Sequence, residues 1–418
     1  MKMMLGKGAL ILLALSLLPI VSSPTTILGT VPTPASVLET ASSYKPHVPI
    51  YISGDSSFTS ANGVTGGTGT TADPFIIEGW DIAAATAHGI SIQSTNAYFI
   101  IRNVRVHSGG LSYNGIFLGS ANNGAIMNVS ATSNYRGIFV WLSAGVIVWG
   151  GNATSSTRAG IEILSSSYTT VAGWNVSGNG RDGIRVSLSS LVTVTGNRVS
   201  SNQGSGISLS GASNVTVAVN DATANSDFAI SLLASENNLI YHNNFVGVRP
   251  LASDDLENAN NWDMGYPTGG SYWSDYAGTD GNGDGIGDTP YTVDIERGIQ
   301  DRYPLMGQYH DTVQPTWGPG AQVVGSQVGQ ASVTLTWTQA TDDQMVIGYR
   351  VYRNGILAVT LPNTVQTYTI TGLSPSTTYT FKVEAGDEVD NWSQTGPSAV
   401  VTTTAIRGGG GGGRFFLV

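Results

Sequence analysis

The 418-residue chain contains no cysteine, which excludes a disulfide framework and any thiolate-ligated metal. Charge is scarce as well: only 11% of residues are Asp, Glu, Lys or Arg, with 18 basic against 28 acidic, a net of −10. So few cations argue against nucleic acid as a partner. The five histidines, His47, His88, His107, His242 and His310, show no ligand-like spacing, and a soft copper site would want clustered Met, Cys or His. No apolar run reaches the ~20 residues that a membrane-spanning helix needs. The longest, 9–21, follows Lys2 and Lys7 and reads as the core of a secretory signal over residues 1–23, with an uncleaved anchor as the other reading. A Ser/Thr/Pro-rich flexible leader, 24–45, follows.

What the chain has in place of charge is glycine and repetition. GIFL at Gly115, GIFV at Gly137, GIEIL at Gly160, GIRVSL at Gly183, GISLS at Gly206 and AISLL at Ala229 start 22 or 23 residues apart, after a degenerate copy at Gly89. Each copy continues into a second alternating run, then Asn, then an S-x-N-like corner. This period, with short strands and no helical spacing, predicts a parallel β-solenoid over 89–250, one coil per repeat. Asn103, Asn128, Asn152, Asn175, Asn197, Asn220 and Asn244 form one column of this expected stack. Asn134, Asn179, Asn202 and Asn225 form a second. Stacked amides can hydrogen-bond along the axis and satisfy turn backbone, and the Gly before each strand suits a tight corner. Of the N-x-S/T sequons, those at Asn128, Asn152 and Asn175 fall in the column and should face inward. Asn214 and Asn391 are then the better glycan acceptors.

The ends of such a stack need covers. Residues 46–88 supply the N-terminal cap and first coil, with Phe75 and Trp80 as plugs. Residues 251–312 supply the C-terminal cap. The stretch 251–311 carries twelve acids against two arginines, the whole net charge of the chain. Inside it, Asp280, Asn282, Asp284, Ile286 and Asp288 place oxygen donors at alternate positions, Ile286 through its carbonyl. This matches the first nine places of a calcium loop. Position twelve is Tyr291, so the loop is not an EF-hand; a metal-free Asx-turn loop is the competing reading. The aromatics of 261–276 either plug the last coil or stack on sugar rings.

The segments HVPIYISGD, NGVTGGTGTTADPFIIEGWDI, the repeats, NWDMGYPTGGSYWSDYAGTDGNGDGIGDTPY and DRYPLMG resemble the NosD-like β-helix family over about residues 46–308. The resemblance implies a right-handed parallel β-helix related to carbohydrate-binding and sugar-hydrolase solenoids, and many members are secreted surface proteins. The family takes its name from copper-insertion accessory proteins.

On the first strand of each coil, alternation turns Ile inward and the next residue outward. The outward columns therefore gather Phe117, Phe139 and Trp141 beside Glu162 and Arg185. This is a candidate carbohydrate platform; equally, the 107–114 loop covers the patch and Glu162 pairs with Arg185 across coils. Catalysis would require a close carboxylate pair, and Glu162 with Asp182 is the one combination within the coils able to approach.

From residue 313 the period stops. Alternating strands, Trp337 ahead of Tyr349, and Leu373-x-Pro375-x-Thr377-x-Tyr379 resemble a fibronectin type III sandwich over 313–404. A Gly-rich tail, 405–418, ends the sequence and is a possible tether. The expectation is an all-β, secreted or cell-surface protein: a right-handed parallel β-helix followed by a fibronectin type III sandwich, binding a polysaccharide or cell-surface glycan and holding structural Ca²⁺. A β-helix lyase or hydrolase and a copper accessory protein are the competing functions.

Overall fold

A computed structural model describes residues 44–247, 250–257 and 259–406. The signal segment, nearly all of the leader and the Gly-rich tail lie outside the described residues.

The repeat starts lie above one another. Ile50, Ile90, Ile116, Ile138, Ile161, Ile184, Ile207, Ile230 and Ala252 pair in unbroken parallel register along a nine-stranded sheet. Every one of these isoleucines is buried, each contributing about 2 kcal/mol of apolar burial. The second run of each coil joins a fourteen-stranded sheet, and the two sheets close on a core of Ile, Val and Leu. The result is a parallel β-helix of about eight turns.

The glycine ahead of each strand works by close approach rather than by turning. A Cβ on Gly115, Gly137 or Gly183 would lie 2.6–2.7 Å from the carbonyl oxygen of the equivalent glycine one coil on. The corners are made by single left-handed residues stacked in columns. One runs Ser94, Ser120, Leu142, Ser165, Leu188, Gly211, Ala234. Another runs Asn103, Asn128, Gly150, Gly173, Gly196, Val219, His242.

The asparagine columns need partial correction. Asn134, Asn179 and Asn202 are fully buried. Asn179 donates to Asn202 and Asn202 to Asn225, each at 2.9 Å. A second buried ladder runs Asn197 to Asn220 to Asn243. Asn152, Asn175 and Asn244 stand one position further along and face outward, while Asn103 and Asn128 occupy the left-handed corner. Since side chains alternate, a one-residue offset changes the face. Asn128, Asn152 and Asn175 are accordingly exposed, so those three sequons are as accessible as the one at Asn214. Serines 143, 166 and 189 make a further ladder, each hydroxyl accepting from the backbone of the coil before.

At the far end Trp262 and Trp273 are buried against Phe245 and Tyr291. Their indoles donate to Asp254 and Asp301. At the near end Phe58 stacks on Phe75 at 4.5 Å, and the Trp80 indole donates to the Gly63 carbonyl.

Residues 323–402 form a three-stranded sheet facing a four-stranded one. Trp337 packs edge-on to Tyr349, and the Tyr379 hydroxyl accepts from the Ser374 amide at 2.9 Å, the corner expected of a fibronectin type III sandwich. The sandwich lies along the outer face of the fourteen-stranded sheet. Its core is continuous with Ile76, Ile100, Ala125, Met127, Ile147 and Ala172. Polar contacts run from Thr369 on the Ala72 carbonyl to Gln344 on the Tyr241 hydroxyl.

Replacing Asn202 by Ala strands buried donors and acceptors on both neighbouring coils. It should cost about 1–3 kcal/mol in chemical denaturation, while Asn152→Ala, on the exposed face, should be near neutral. Burial pushes the Asp301 carboxyl up to about 7 against hydrogen bonds from Ser271, Trp273 and Tyr303. A folded-state value above the unfolded one means stability is greatest in acid and falls as pH rises from about 4 through 7. Asp301→Asn, which keeps an acceptor for the indole, should flatten that part of the melting-temperature profile.

Candidate functional site

The outward column on the nine-stranded sheet reads Phe117, Phe139, Glu162, Arg185, Ser208, Ser231 in successive coils. Beside it run Gly119, Trp141, Leu164 and Ser187. Strand alternation puts both sets on the outer side of the sheet, and the parallel register sets them one coil apart. Phe117 and Phe139 stack with centroids 5.5 Å apart and planes 27° apart; Trp141 lies 6.4 Å from Phe117 at 22°. Gly119 permits this: a Cβ there would sit 2.9 Å from the Phe117 ring. His88 extends the stripe, 5.3 Å from Phe117. Its Nδ1 accepts from the Asn114 amide. Burial and the nearby Arg136 charge hold it below its usual pKa, so it is neutral at pH 7. Phe117 and Phe139 are half-buried and Trp141 is 41% exposed.

The structure brings the five sequence-predicted residues onto one face but pairs the charges differently. Glu162 and Arg185 do not bridge. Glu162 is buried and bonded to Arg136, whose guanidinium lies 4.4 Å above the Phe139 ring. Arg185 reaches Asp182 at 3.2 Å and the Ser187 hydroxyl at 3.0 Å. Glu162 and Arg185 sit in register on neighbouring strands; each finds a partner from the loop ahead of a strand. Tyr135 and Arg158 complete the rim with a 3.0 Å bond, which lowers the tyrosine pKa. Sequence reasoning missed Tyr135 and Arg136. The available signal was their place directly before Gly137, where a loop residue overhangs the strand. Leu111 and Tyr113, in the loop expected to cover the patch, differ: Leu111 is 79% exposed, and Tyr113 meets His88 edge-on at the end of the stripe.

The acidic loop folds back on Asp280, while the carboxylate oxygens of Asp280, Asp284 and Asp288 do not all lie within 4.8 Å of one another. Asp280 accepts from the amides of Gly283, Asp284 and Gly285, Asp284 from Ile286, and Asp288 from Gly281. Of these, only the Asp284–Ile286 bond is an Asx turn, and together the bonds use only part of the lone pairs that three carboxylates carry.

The histidines among the described residues do not converge on a copper site. Among the described residues, the one group of three His, Cys, Asp or Glu with ligand atoms within 4.8 Å of one another is Asp311, Asp342 and Asp343. That set is all oxygen, which does not suit a soft copper ion. His47 packs on Trp80, His107 on Asp81 and His242 on Tyr309.

Three comparisons bear on the chain. Chitinase Chi52 of Paenibacillus xylanexedens is 42% identical over 104 residues, 24% of this chain and 20% of that protein. Chitinase D of Niallia circulans is 44% identical over 82 residues, 20% and 15% of the two chains. The chain thus spans a fifth or less of the length of these relatives. Among solved structures, a double mutant of a periplasmic alginate epimerase aligns at 17% identity over 45% of each chain, with a TM-score of 0.35. A mannuronan C-5 epimerase module of Azotobacter vinelandii aligns at 13% identity over 44% of this chain and 62% of that one, TM-score 0.30. Residues 315–403 match the fibronectin type III domain. Residues 55–278, more than half of the sequence, match the family described as periplasmic copper-binding protein (NosD), and the chain belongs to that family.

Proposed function

We propose that this is an extracytoplasmic binding protein that recognises a polysaccharide or cell-surface glycan along the aromatic column of its nine-stranded sheet. The observation that carries the reading is the near-parallel set Phe117, Phe139 and Trp141, presented by successive coils and rimmed by Arg136–Glu162 and Arg185–Asp182. Flat apolar rings beside fixed hydrogen-bonding groups suit a chain of sugar rings, which offers apolar faces and hydroxyl edges. The relatives named as chitinases share a carbohydrate context. No helix among the described residues is long and apolar enough to cross a membrane. A lyase or hydrolase of the same fold is the second reading, but Glu162 and Asp182 are each engaged by an arginine rather than poised as an acid/base pair.

The cofactor in this reading is Ca²⁺ in the 280–288 loop, held by Asp280, Asn282, Asp284 and Asp288 with the Ile286 carbonyl. Hard oxygen donors at alternate positions are the support, and the ion's role is to fix the C-terminal cap.

A glycan array and pull-down on insoluble polysaccharides test the binding reading. Trp141→Ala should weaken retention about five- to tenfold and leave the melting temperature unchanged, since the indole is exposed. Shortened or unsaturated products in the supernatant would establish the enzyme instead. For the loop, EDTA should lower the melting temperature of the wild type, and Asp284→Ala should remove most of that response. A wild-type protein indifferent to EDTA refutes the loop as a metal site.

A further inference from the structure

Where the sandwich meets the solenoid, three segments distant in sequence bring five acids together. Asp311 lies on the linker, Asp342 and Asp343 on the loop between strands 332–337 and 346–353, and Asp387 and Glu388 at the end of strand 378–387. The ligand oxygens of Asp311, Asp342 and Asp343 lie within 4.8 Å of one another.

Each of three carboxylates uses one oxygen locally. Asp311 Oδ1 accepts from the Val313 amide at 2.9 Å, Asp342 Oδ2 from Gln344 and Met345 at 3.1 Å, and Asp387 Oδ1 from Asn391 at 2.8 Å. Their other oxygens, Asp311 Oδ2, Asp342 Oδ1 and Asp387 Oδ2, are buried with no hydrogen-bond donor, as are both oxygens of Glu388. Asp387 and Glu388 are 0% and 1% exposed. Among the described residues, no lysine or arginine forms an ion pair with any of the five. Burial first, and then the neighbouring carboxylates, push Glu388 up to about 8 and Asp387 to about 7.

A buried carboxylate oxygen without a donor carries a desolvation penalty of several kcal/mol, and native proteins pair such atoms almost without exception. Here the unpaired atoms come from three segments: Asp311 and Asp342 meet the exposed Asp343, and Asp387 and Glu388 lie near enough to feel the Asp311 charge. A single cation among Asp311, Asp342 and Asp343 answers the first two directly and offsets the charge of Asp387 and Glu388. The all-oxygen donor set, drawn from two loop segments with no octahedral cage, favours calcium over transition metals and over magnesium.

We propose that Asp311, Asp342 and Asp343 bind one Ca²⁺ at the seam between solenoid and sandwich, with Asp387 and Glu388 supplying the charge behind it. The ion joins a linker residue to one loop of the sandwich and so fixes how that domain sits on the solenoid.

The test is isothermal titration of chelator-stripped full-length protein with CaCl₂, and with MgCl₂ for comparison. Wild type, Asp342→Asn, Asp343→Asn and Asp284→Ala are compared, each checked for fold by circular dichroism. The expected result is a calcium event that Asp284→Ala leaves intact and that Asp342→Asn or Asp343→Asn weakens about tenfold or more. Asp343→Asn guards against misfolding, because its side chain is exposed. Calcium binding that is absent in the Asp284→Ala protein, or unchanged in both seam variants, overturns the proposal without touching the glycan reading or the loop.

Discussion

A chain that winds in parallel coils must bend several times per turn, and at each bend backbone N–H and C=O groups leave the two sheets. They are buried, so each needs a partner. The partner is the same side chain one coil away: Asn179 on Asn202 on Asn225, Asn197 on Asn220 on Asn243, Ser143 on Ser166 on Ser189. The ladders work only if every coil has the same path length between bends, which is why the period holds at 22 or 23 residues. The glycines from Gly115 to Gly206 meet the same requirement, because a Cβ there would lie 2.6–3.0 Å from the next coil's carbonyl oxygen. The fixed register then places Phe117, Phe139 and Trp141 side by side without further device.

Much of this was legible in the sequence because it is periodic. The Gly-Ile starts, the inward Val and Ile, the second asparagine column and the outward order Phe117, Phe139, Glu162, Arg185 all follow from counting. What failed did so at one-residue resolution. Asn152 and Asn175 read as continuous with Asn197, yet the register stays at 23 residues and pairs Asn175 with Arg198, so Asn197 falls one position earlier and faces the other way. Left-handed corners at Leu142, Leu188 and Val219 carry no composition signal, since neighbouring coils rather than residue preference impose them. Charge pairing failed for another reason. In-register neighbours such as Glu162 and Arg185 share a column, but the long side chain of Arg136 reaches Glu162 from the preceding loop, a distance that strand arithmetic does not contain.

The acids at the seam were invisible to the same counting. Asp311, Asp342 and Asp387 are separated by 31 and 45 positions, and only antiparallel sandwich topology brings their loops to one side. The acidic loop at 280–288 is the opposite case: its spacing is local, and its carboxylates accept from amides of the same loop. The protein thus holds two acidic constellations of different origin, one written in a motif and one produced by folding.

Lengthwise docking of the sandwich has a mechanical corollary. Stacked repeats by themselves unfold from an end, losing coils one at a time, because each touches only its neighbours. Here a second body is fastened to the stack from the Ala72 carbonyl to the Tyr241 hydroxyl, with Trp149 against Trp392 midway. It serves as a splint: peeling away any one terminal turn also breaks part of a contact shared by the rest, so fraying becomes an all-or-none event.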